Sequence, residues 1–288
     1  MLGLISEAWV ARAFRNRVAL FLGLFVIQMQ FFTINFVNSQ LLAPTYGWEL
    51  KFGWIDNRLT PHAVWLIPYI LGFFLAALIP LWGMYHMPNT LYRQFILAMA
   101  LAALFGYVLY IVFPTYVTKP PPDQVRGSGI LARMLRFSYE LDDAASTHNA
   151  APSQHVFYAI LNMCFMIRFW PRLRVFLAWI ALAALITAST LLTMRHRSPD
   201  LISGYMVAVG AYYGGLYLGR RVTAWLGDAD GPIEAPRMPF DWRGRIPRRF
   251  ARDSRARARV DRCSPGPAVC ATPTARKRTP YDGPRRSG

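Results

Sequence analysis

Two short stretches of the chain hold residues that could carry out chemistry. One is Ala-Pro-Ser-Gln-His at 151–155, and the other is Ser189-Thr190 followed by His196 and Asp200. Each stretch lies at the edge of an apolar segment. Two imidazoles on one face permit a division of labour at phosphorus, in which one attacks as a nucleophile and the other protonates the leaving oxygen. His196 and His155 are therefore the candidate catalytic pair.

A nucleophilic histidine works only if its other ring nitrogen is held in the right tautomer, and a carboxylate can hold it. Asp200 is the predicted holder. Pro199 disfavours one continuous helix from His196 to Asp200. We therefore predict that Ser198 is the N-cap of the last apolar helix, with Pro199 as its first residue. The contact between His196 and Asp200 should then be made across a turn.

A phosphoryl group also needs cations or N–H donors around its oxygens. Lys119 follows an apolar segment, and Arg195 and Arg197 flank His196. Ser153 offers a hydroxyl, and the free amides at the start of the next helix suit an anion. These four side chains are the predicted phosphate ligands. Carboxylates, histidines and cysteines show no metal-ligand spacing at this face, so we expect chemistry without a metal or another cofactor.

The elements that must position these residues are predicted to cross a membrane. Hydrophobic residues make up 54% of the chain and are gathered in long runs rather than spread with a globular period. Runs of about 20 apolar residues suffice to cross a bilayer. We predict an all-α, polytopic six-helix bundle with spans at Val18–Val37, Ala63–Tyr85, Leu97–Val112, Val156–Ile167, Val175–Met194 and Leu201–Leu218. The fourth reaches membrane length only if Pro152–His155 forms its first turn.

The positions of arginines near the span ends predict the orientation. They form three clusters, which six spans would place on one side: Arg12, Arg15 and Arg17; Arg168, Arg172 and Arg174; Arg220 and Arg221. We expect that side to be cytoplasmic, with both termini on it. The chain is then a multi-pass protein of the cell membrane, and both histidine stretches face the extracytoplasmic side.

The net charge of +17 is concentrated in the C-terminal tail, because residues 219–288 contain 17 Lys or Arg and 7 Asp or Glu. Its Arg- and Pro-rich composition predicts disorder. We expect this tail to bind anionic lipid headgroups, at about 1 kcal/mol per basic residue, rather than nucleic acid. The predicted domains are a cytoplasmic segment at 1–17, a membrane domain at 18–218 and the tail at 219–288.

The motifs resemble those of the type-2 phosphatidic acid phosphatase superfamily, and within it the inositol phosphorylceramide synthase branch and its inositolphosphotransferase-like bacterial relatives. The resemblance covers about Asp56 to Gly204. The residues that carry it are Asp56, Pro61 and Pro68-Tyr69; Pro152-Ser153-x-His155; and Ser189-Thr190 with His196, Asp200 and Gly204.

This resemblance implies that His196 is the nucleophile, Asp200 its partner and His155 the acid and base, with Ser153 and Lys119 as phosphate ligands. It implies a six-span enzyme that needs no metal. Such enzymes hydrolyse lipid phosphates or move a phospho-headgroup onto a second alcohol, and the motifs do not separate these two reactions.

The chain departs from the superfamily in its first motif, which elsewhere has a lysine followed six residues later by Arg-Pro. Here only Lys119-Pro120 remains, with lysine in place of the arginine, and lysine keeps the charge but loses the bidentate fork. This departure, with Pro199, motivates the alternative hypothesis of a catalytically silent membrane protein that keeps the fold for lipid binding or transport.

Overall fold

The computed structural model describes residues 7–42, 46–145 and 148–227. Within these residues the chain forms nine α-helices, single 3-10 turns at Ala63–Trp65 and Pro122–Gln124, and isolated backbone bridges but no strand. The helices are α1 (Glu7–Arg15), α2 (Arg17–Leu41), α3 (Gly53–Asp56), α4 (Leu66–His86), α5 (Asn89–Val112), α6 (Gly129–Ala145), α7 (Gln154–Phe169), α8 (Leu173–Leu192) and α9 (Ser198–Trp225).

Five helical segments are long and apolar enough to cross a membrane, which confirms the all-α, polytopic membrane fold. They are Arg17–Asn38, Ala63–His86, Asn89–Val112, Leu173–Leu192 and Ser198–Trp225. The predicted fourth span corresponds to α7, which has 16 residues. At 1.5 Å per residue it is about 24 Å long, shorter than a hydrocarbon core of about 30 Å. The count of six spans therefore stays a prediction.

The α7 helix lies in the interior of the bundle, where it packs against α4, α5, α8 and α9. Phe157, Leu161 and Phe165 recur every four residues along it and are fully buried. The Phe165 ring meets that of Phe95 on α5 at a centroid distance of 5.0 Å. Because α7 is central, the residues at its start, which include His155, are set inside the bundle.

Small residues bring α5 and α9 into close contact. A Cβ on Gly215 would lie 2.5 Å from the Cβ of Ala98, so only glycine fits at this crossing. Gly204, near the start of α9, approaches the segment that precedes α7, where a Cβ added to Gly204 would lie 2.8 Å from the carbonyl oxygen of Ser153. The beginning of α9 and the beginning of α7 are thereby held together.

No helix was predicted in residues 113–151, between the third and fourth predicted spans. Part of that segment forms α6, and its buried residues Ala132, Leu135 and Tyr139 follow a helical spacing. They pack against Ala63, in the 3-10 turn before α4, and against Leu66, the first residue of α4. The helix was missed because its polar face is as rich in charges as a loop.

Helix α9 extends past position 218, where the membrane domain is predicted to end. Residues 219–225 continue α9 beyond position 218, with the Arg221 guanidinium 5.3 Å from the Tyr217 ring centroid. Arginine is a good helix former, which favours continuation of the helix through Arg220 and Arg221. The remainder of the predicted tail, from position 228, lies outside the described residues.

At the end of the bundle opposite His155 and His196, arginine side chains hold helix ends together. Arg17 donates to the carbonyl oxygen of Met84 over 2.7 Å, and Arg15 donates to that of Leu226 over 2.8 Å. Carbonyl groups in the last turn of a helix have no partner within it, so these side chains satisfy them. The orientation of the two ends in the membrane stays a prediction.

Candidate active site

The segment before α7, residues 149–153, forms a strap across the histidine end of the bundle. Thr115 fixes it, because the amide of Ala151 donates to Thr115 Oγ1 over 2.7 Å and the amide of Ala150 donates to the Thr115 carbonyl over 3.2 Å. Thr115 is fully buried. The strap is therefore anchored to the chain that leaves α5.

Two further bonds join the strap to neighbouring helices. The Tyr110 hydroxyl donates to the Pro152 carbonyl over 2.6 Å, and the Ser153 amide donates to the Asp200 carbonyl over 3.0 Å. Ser153 is the N-cap residue of α7, so the last bond links the starts of α7 and α9. His155, one residue into α7, is placed by this junction.

The orientation of the His196 ring is set by the strap. His196 Nδ1 lies 2.9 Å from the carbonyl oxygen of Ala150, and the residue is buried. Because a carbonyl oxygen can only accept, Nδ1 must carry the proton in this bond. The lone pair of the neutral ring is then on Nε2, the tautomer that a nucleophile needs.

Asp200 lies beside the same ring nitrogen, with Oδ2 3.6 Å from His196 Nδ1. The same oxygen accepts a hydrogen bond from the Arg197 amide over 2.8 Å. Arg197, not Ser198, is thus the N-cap of α9, which corrects the predicted cap by one residue. The capping carboxylate belongs to Asp200, the third residue of the helix, so the residue at the N-cap position does not need a side chain that caps well.

Ser198 is used differently, because its amide and its hydroxyl both donate to Asp56 Oδ1, over 3.0 and 2.9 Å. The other carboxylate oxygen of Asp56 accepts from the Phe52 amide over 2.7 Å. Asp56 is 1% exposed. This buried carboxylate accepts three hydrogen bonds and ties the start of α9 to α3. Sequence reasoning quoted Asp56 within a motif but gave it no role.

His155 lies across from His196, with ring centroids 6.3 Å apart. Its ring stacks on Tyr69 at 4.1 Å, which fixes the plane of the imidazole. Among the described residues its Nε2 has no hydrogen-bond partner, although the atom is buried. A buried ring nitrogen without a partner costs free energy unless a ligand completes it.

Both imidazoles line a cavity of about 330 Å³ at this end of the bundle. Lys119 and Arg195 also line it, and Lys119 Nζ donates to the Arg195 carbonyl over 3.3 Å. The Arg195 guanidinium lies 5.5 Å from the Tyr69 ring centroid, so the same tyrosine positions Arg195 and His155. Three imidazoles, those of His155, His196 and His148, and two cations therefore share one cavity.

Comparison with known families gives one finding. Residues 45–214 match the model of the PAP2 superfamily, which is more than half of the 288 residues. The chain belongs to the PAP2 superfamily. Membership supports a phosphatase or phosphotransferase type of function and is consistent with a lipid phosphate as substrate. A search of curated proteins finds no significant match.

The PAP2 match includes every residue that the sequence reasoning proposed for the site, but the structure does not bring all of them to the cavity. Arg197 is buried, donates to the Thr118 carbonyl over 3.0 Å and lies 3.9 Å from Glu49 Oε1. It is absent from the described residues that line the cavity. Arg197 therefore fastens the loop that carries Lys119, and Arg195 is the arginine beside the histidines.

Ser153 is the second proposed ligand outside that lining. Its side chain is fully buried, and its hydroxyl has no hydrogen-bond partner among the described residues. Its neighbours in sequence, Gln154 and His155, do line the cavity. The hydroxyl is thus next to the cavity wall rather than in it.

A second cavity, of about 250 Å³ and mostly apolar lining, adjoins the first between α2 and α4. The two share Phe31, Phe32, Phe73, Gln154 and His155. Phenylalanines dominate the apolar cavity, and His155 is reached from both. This PAP2 protein therefore has a polar compartment and an apolar compartment that meet at a proposed catalytic residue.

Sequence reasoning missed the polar residues of α2. Asn35 lines the polar cavity, Gln28 lines the apolar one, and Asn38 is buried beside the strap. Their spacing of seven and three residues places them on one helical face. Amides on the inward face of a mostly apolar span were a signal in the sequence, because polar groups in a membrane are retained only with a partner or a function.

Proposed function

We propose that this PAP2 protein is an integral-membrane phosphatase or phosphotransferase that acts on a lipid phosphate through a phosphohistidine at His196. The observation that carries the proposal is the pair of constraints on His196. Nδ1 is committed to the Ala150 carbonyl with Asp200 close by, while the ring lines the cavity that also contains His155. This leaves Nε2 as the nucleophilic atom.

In the first step Nε2 of His196 attacks phosphorus, and an N–P bond forms as the bond from phosphorus to the leaving oxygen breaks. His155, entering protonated, gives its proton to that oxygen, and the alcohol departs. In the second step neutral His155 takes a proton from water or from an acceptor alcohol, whose oxygen attacks phosphorus. The N–P bond breaks, and its electron pair returns to Nε2.

Negative charge on the phosphoryl oxygens is stabilised by Lys119 and Arg195, the cations in the cavity wall. The free amides of the first turn of α7 are further donors in this proposal, whereas the Ser153 hydroxyl lies next to the cavity wall and is not among them. Arg197, proposed from the sequence as a ligand, instead supports Lys119 through Thr118. The steps use only these groups, so independence from metals and cofactors is part of the proposal.

The apolar cavity supports a lipid as the substrate. Because it adjoins the polar cavity at His155 and Gln154, a hydrocarbon chain could lie between α2 and α4 while its phosphate reaches the imidazoles. Binding sites commonly bury most of a ligand in apolar surface and orient it with a few polar groups. Inositolphosphotransferase-like chemistry, with a second alcohol as acceptor, remains one form of this proposal, and hydrolysis is the other.

The proposal places the protein in the cell membrane, with both termini in the cytoplasm and the site at the extracytoplasmic leaflet. The bias of arginines toward the end opposite the histidines supports this orientation. The basic tail would then lie on anionic headgroups of the inner leaflet. Lys51→Cys and Arg174→Cys, each made alone and labelled at the new thiol in intact cells, would test which end is outside.

Substitution of each imidazole tests the reaction. His196→Ala and His155→Ala in purified protein should each reduce release of phosphate or transfer of a headgroup by at least about a hundredfold, and EDTA should have no effect. His86→Ala is the matched control, because His86 stacks on Trp82 at the other end of α4. Full activity in either cavity variant would overturn the assignment. Label from a radioactive substrate phosphate should remain on the protein only when His196 is present.

A catalytically silent lipid-binding or transport protein is the alternative function. It is favoured by the small number of cations, since Lys119 and Arg195 are those that line the described cavity and Arg197 is tied elsewhere. Prenyl, glycero- and sphingolipid phosphates should be offered in turn. Tight binding without turnover of any of them would select the alternative.

A further inference from the structure

Helix α6 has an apolar face that the rest of the bundle leaves uncovered, here called the outer stripe. It consists of four large side chains that are 43% to 67% exposed, those of Ile130, Met134, Phe137 and Leu141. They are spaced four, three and four residues apart, so they lie on one face of the helix. An exposed apolar patch rimmed by polar residues indicates an interaction surface.

The opposite face of α6 is buried in the protein. Ala132, Leu135 and Tyr139 form this inner face and pack against the first residues of α4. Leu135 is two positions from Phe137, which turns it about 200° around the helix axis. The helix therefore has two apolar faces on opposite sides, and the bundle covers one of them.

Charged side chains lie on one flank of α6, between the two apolar faces. Arg133 and Glu140 are exposed, and Arg136 is half-buried with its guanidinium 3.5 Å from the carbonyl oxygen of Val125. Counted around the helix, all three fall on the same side of the outer stripe. A helix of this kind is suited to a membrane surface, where its apolar face enters the lipid and its charges stay in water.

The contacts of α6 place it at the depth where two spans meet the membrane surface. Before α6, the amide of Ala63 donates to the Arg126 carbonyl over 3.1 Å, and the amide of Arg126 donates to the Pro61 carbonyl over 2.8 Å. Within α6, the Tyr139 hydroxyl donates over 2.6 Å to the carbonyl of Thr193, the C-cap of α8. The apolar segments of α4 and α8 begin and end here. The helix thus lies beside the start of one span and the end of another.

The exposed apolar surface of α4 continues onto α6. Val64, Ile67 and Leu71 are exposed at the start of a segment that is apolar enough to cross a membrane. Leu66, between them in sequence, packs on the inner face of α6. Lipid hydrocarbon covers the exposed side of a span, so it also reaches the helix that packs against that span.

A second copy of the chain is a poorer occupant of the outer stripe than lipid. A stable interface between proteins covers roughly 800 Å² on each partner, about 20 to 30 residues. The outer stripe has four residues and is bordered by the charges of Arg133 and Glu140. A lipid leaflet needs no complementary shape, so a stripe of this width is sufficient for it.

We propose that α6 is an interfacial helix that inserts its outer stripe into the leaflet at the histidine end of the bundle. Leu141 belongs to the stripe and also lines the polar cavity, so the leaflet borders the rim of that cavity. On the inner face, the Tyr139 ring centroid lies 5.7 Å from the Arg195 guanidinium. One helix thereby contacts both the membrane and a cation of the site. The inference concerns membrane binding and does not depend on the proposed function.

Spin labels on single cysteines measure the depth of the outer stripe. The native thiols are first removed from the full chain by Cys164→Ala, Cys263→Ser and Cys270→Ser. Phe137→Cys and Ile130→Cys are then made singly, labelled, and placed at low protein density in vesicles of phosphatidylglycerol and phosphatidylcholine. Collisions with oxygen, which concentrates in hydrocarbon, are compared with collisions with a nickel chelate, which stays in water. Both labels should favour oxygen, at a depth of about 5 to 10 Å.

Glu140→Cys is the matched control, because Glu140 is an exposed residue of the same helix on its charged flank. Its label should favour the nickel chelate. Labels at Phe137 and Ile130 that favour the nickel chelate as Glu140 does would overturn the inference. Spin–spin broadening at these two positions would also overturn it, because a second copy of the chain would then cover the stripe.

Discussion

His196 Nδ1 donates a hydrogen bond to the backbone carbonyl of Ala150 over 2.9 Å, whereas the Asp200 carboxylate lies 3.6 Å from the same nitrogen. The shorter contact is within hydrogen-bonding distance, and the longer one is an electrostatic contact. The tautomer of His196 is therefore fixed by main chain, and in the proposed reaction the role of Asp200 is to stabilise the positive charge that develops on the ring.

Asp200→Asn tests this division. We expect kcat to fall by about 10- to 100-fold, the usual effect of losing a group that supports a functional histidine, and less than in His196→Ala. The amide oxygen of asparagine can still accept from Arg197, so the cap of α9 should survive. Kinetics and thermal unfolding in detergent would measure the two effects. Activity as low as in His196→Ala would show that Asp200 sets the tautomer.

Arg195 and Arg197 should differ in what their loss affects. Arg195→Ala removes a cation from the cavity wall, so kcat/KM for a lipid phosphate should fall by at least about tenfold. Arg197→Ala removes buried bonds to the loop before Lys119 and should mainly lower the melting temperature. The check is kinetics and melting temperature on both variants. The reverse pattern would return Arg197 to the phosphate site.

Asp56 is expected to stabilise the protein strongly. Asp56→Ala leaves the amide of Phe52 and the amide and hydroxyl of Ser198 without their acceptor, a loss of about 3 kcal/mol or more in the free energy of unfolding. Ser198→Ala should cost about 1 kcal/mol. Reversible unfolding of both single variants and the double variant gives the coupling between them. Purely additive effects would mean that the two side chains do not interact.

Filling the apolar cavity should act on lipid chain length. Ala77 lines it and is half-buried, so Ala77→Phe should raise KM for a long-chain phosphate relative to a short-chain, water-soluble one by about tenfold. Leu78→Phe is the control, because Leu78 is 51% exposed and outside that lining. The Michaelis constants of both substrates, measured for each variant, test this prediction. An equal rise in KM for both substrates would mean that the hydrocarbon chain of the lipid binds elsewhere.

The sequence was sufficient to predict the apolar helices and the approach of His196 to Asp200. Hydropathy and spacing are local properties, and the two residues are separated by one turn of chain. The helix α6 was missed, although Ala132, Leu135 and Tyr139 have a helical period, because a charged segment between spans looks like a loop.

The partners of the site could not be predicted, because they come from distant parts of the chain. Asp56 meets Ser198 across 142 positions, and Arg197 meets Thr118 across 79. No pattern in the sequence ranks Arg195 above Arg197 as the arginine of the cavity. That choice depends on which side of the turn faces Tyr69, and packing alone decides it.

The hydrogen bond from Asn38 on α2 to Asn149 on the strap has a consequence for how the protein is made. Asn38 is synthesised 111 positions before Asn149, its partner in the folded chain. When α2 enters the bilayer, its amides must therefore be hydrated near the membrane surface or paired with something else, since unpaired amides are costly in hydrocarbon. We expect α2 to be inserted into the bilayer early and to form its hydrogen bond with the strap late. The protein then completes its fold only after the strap, residues 149–153, has been synthesised.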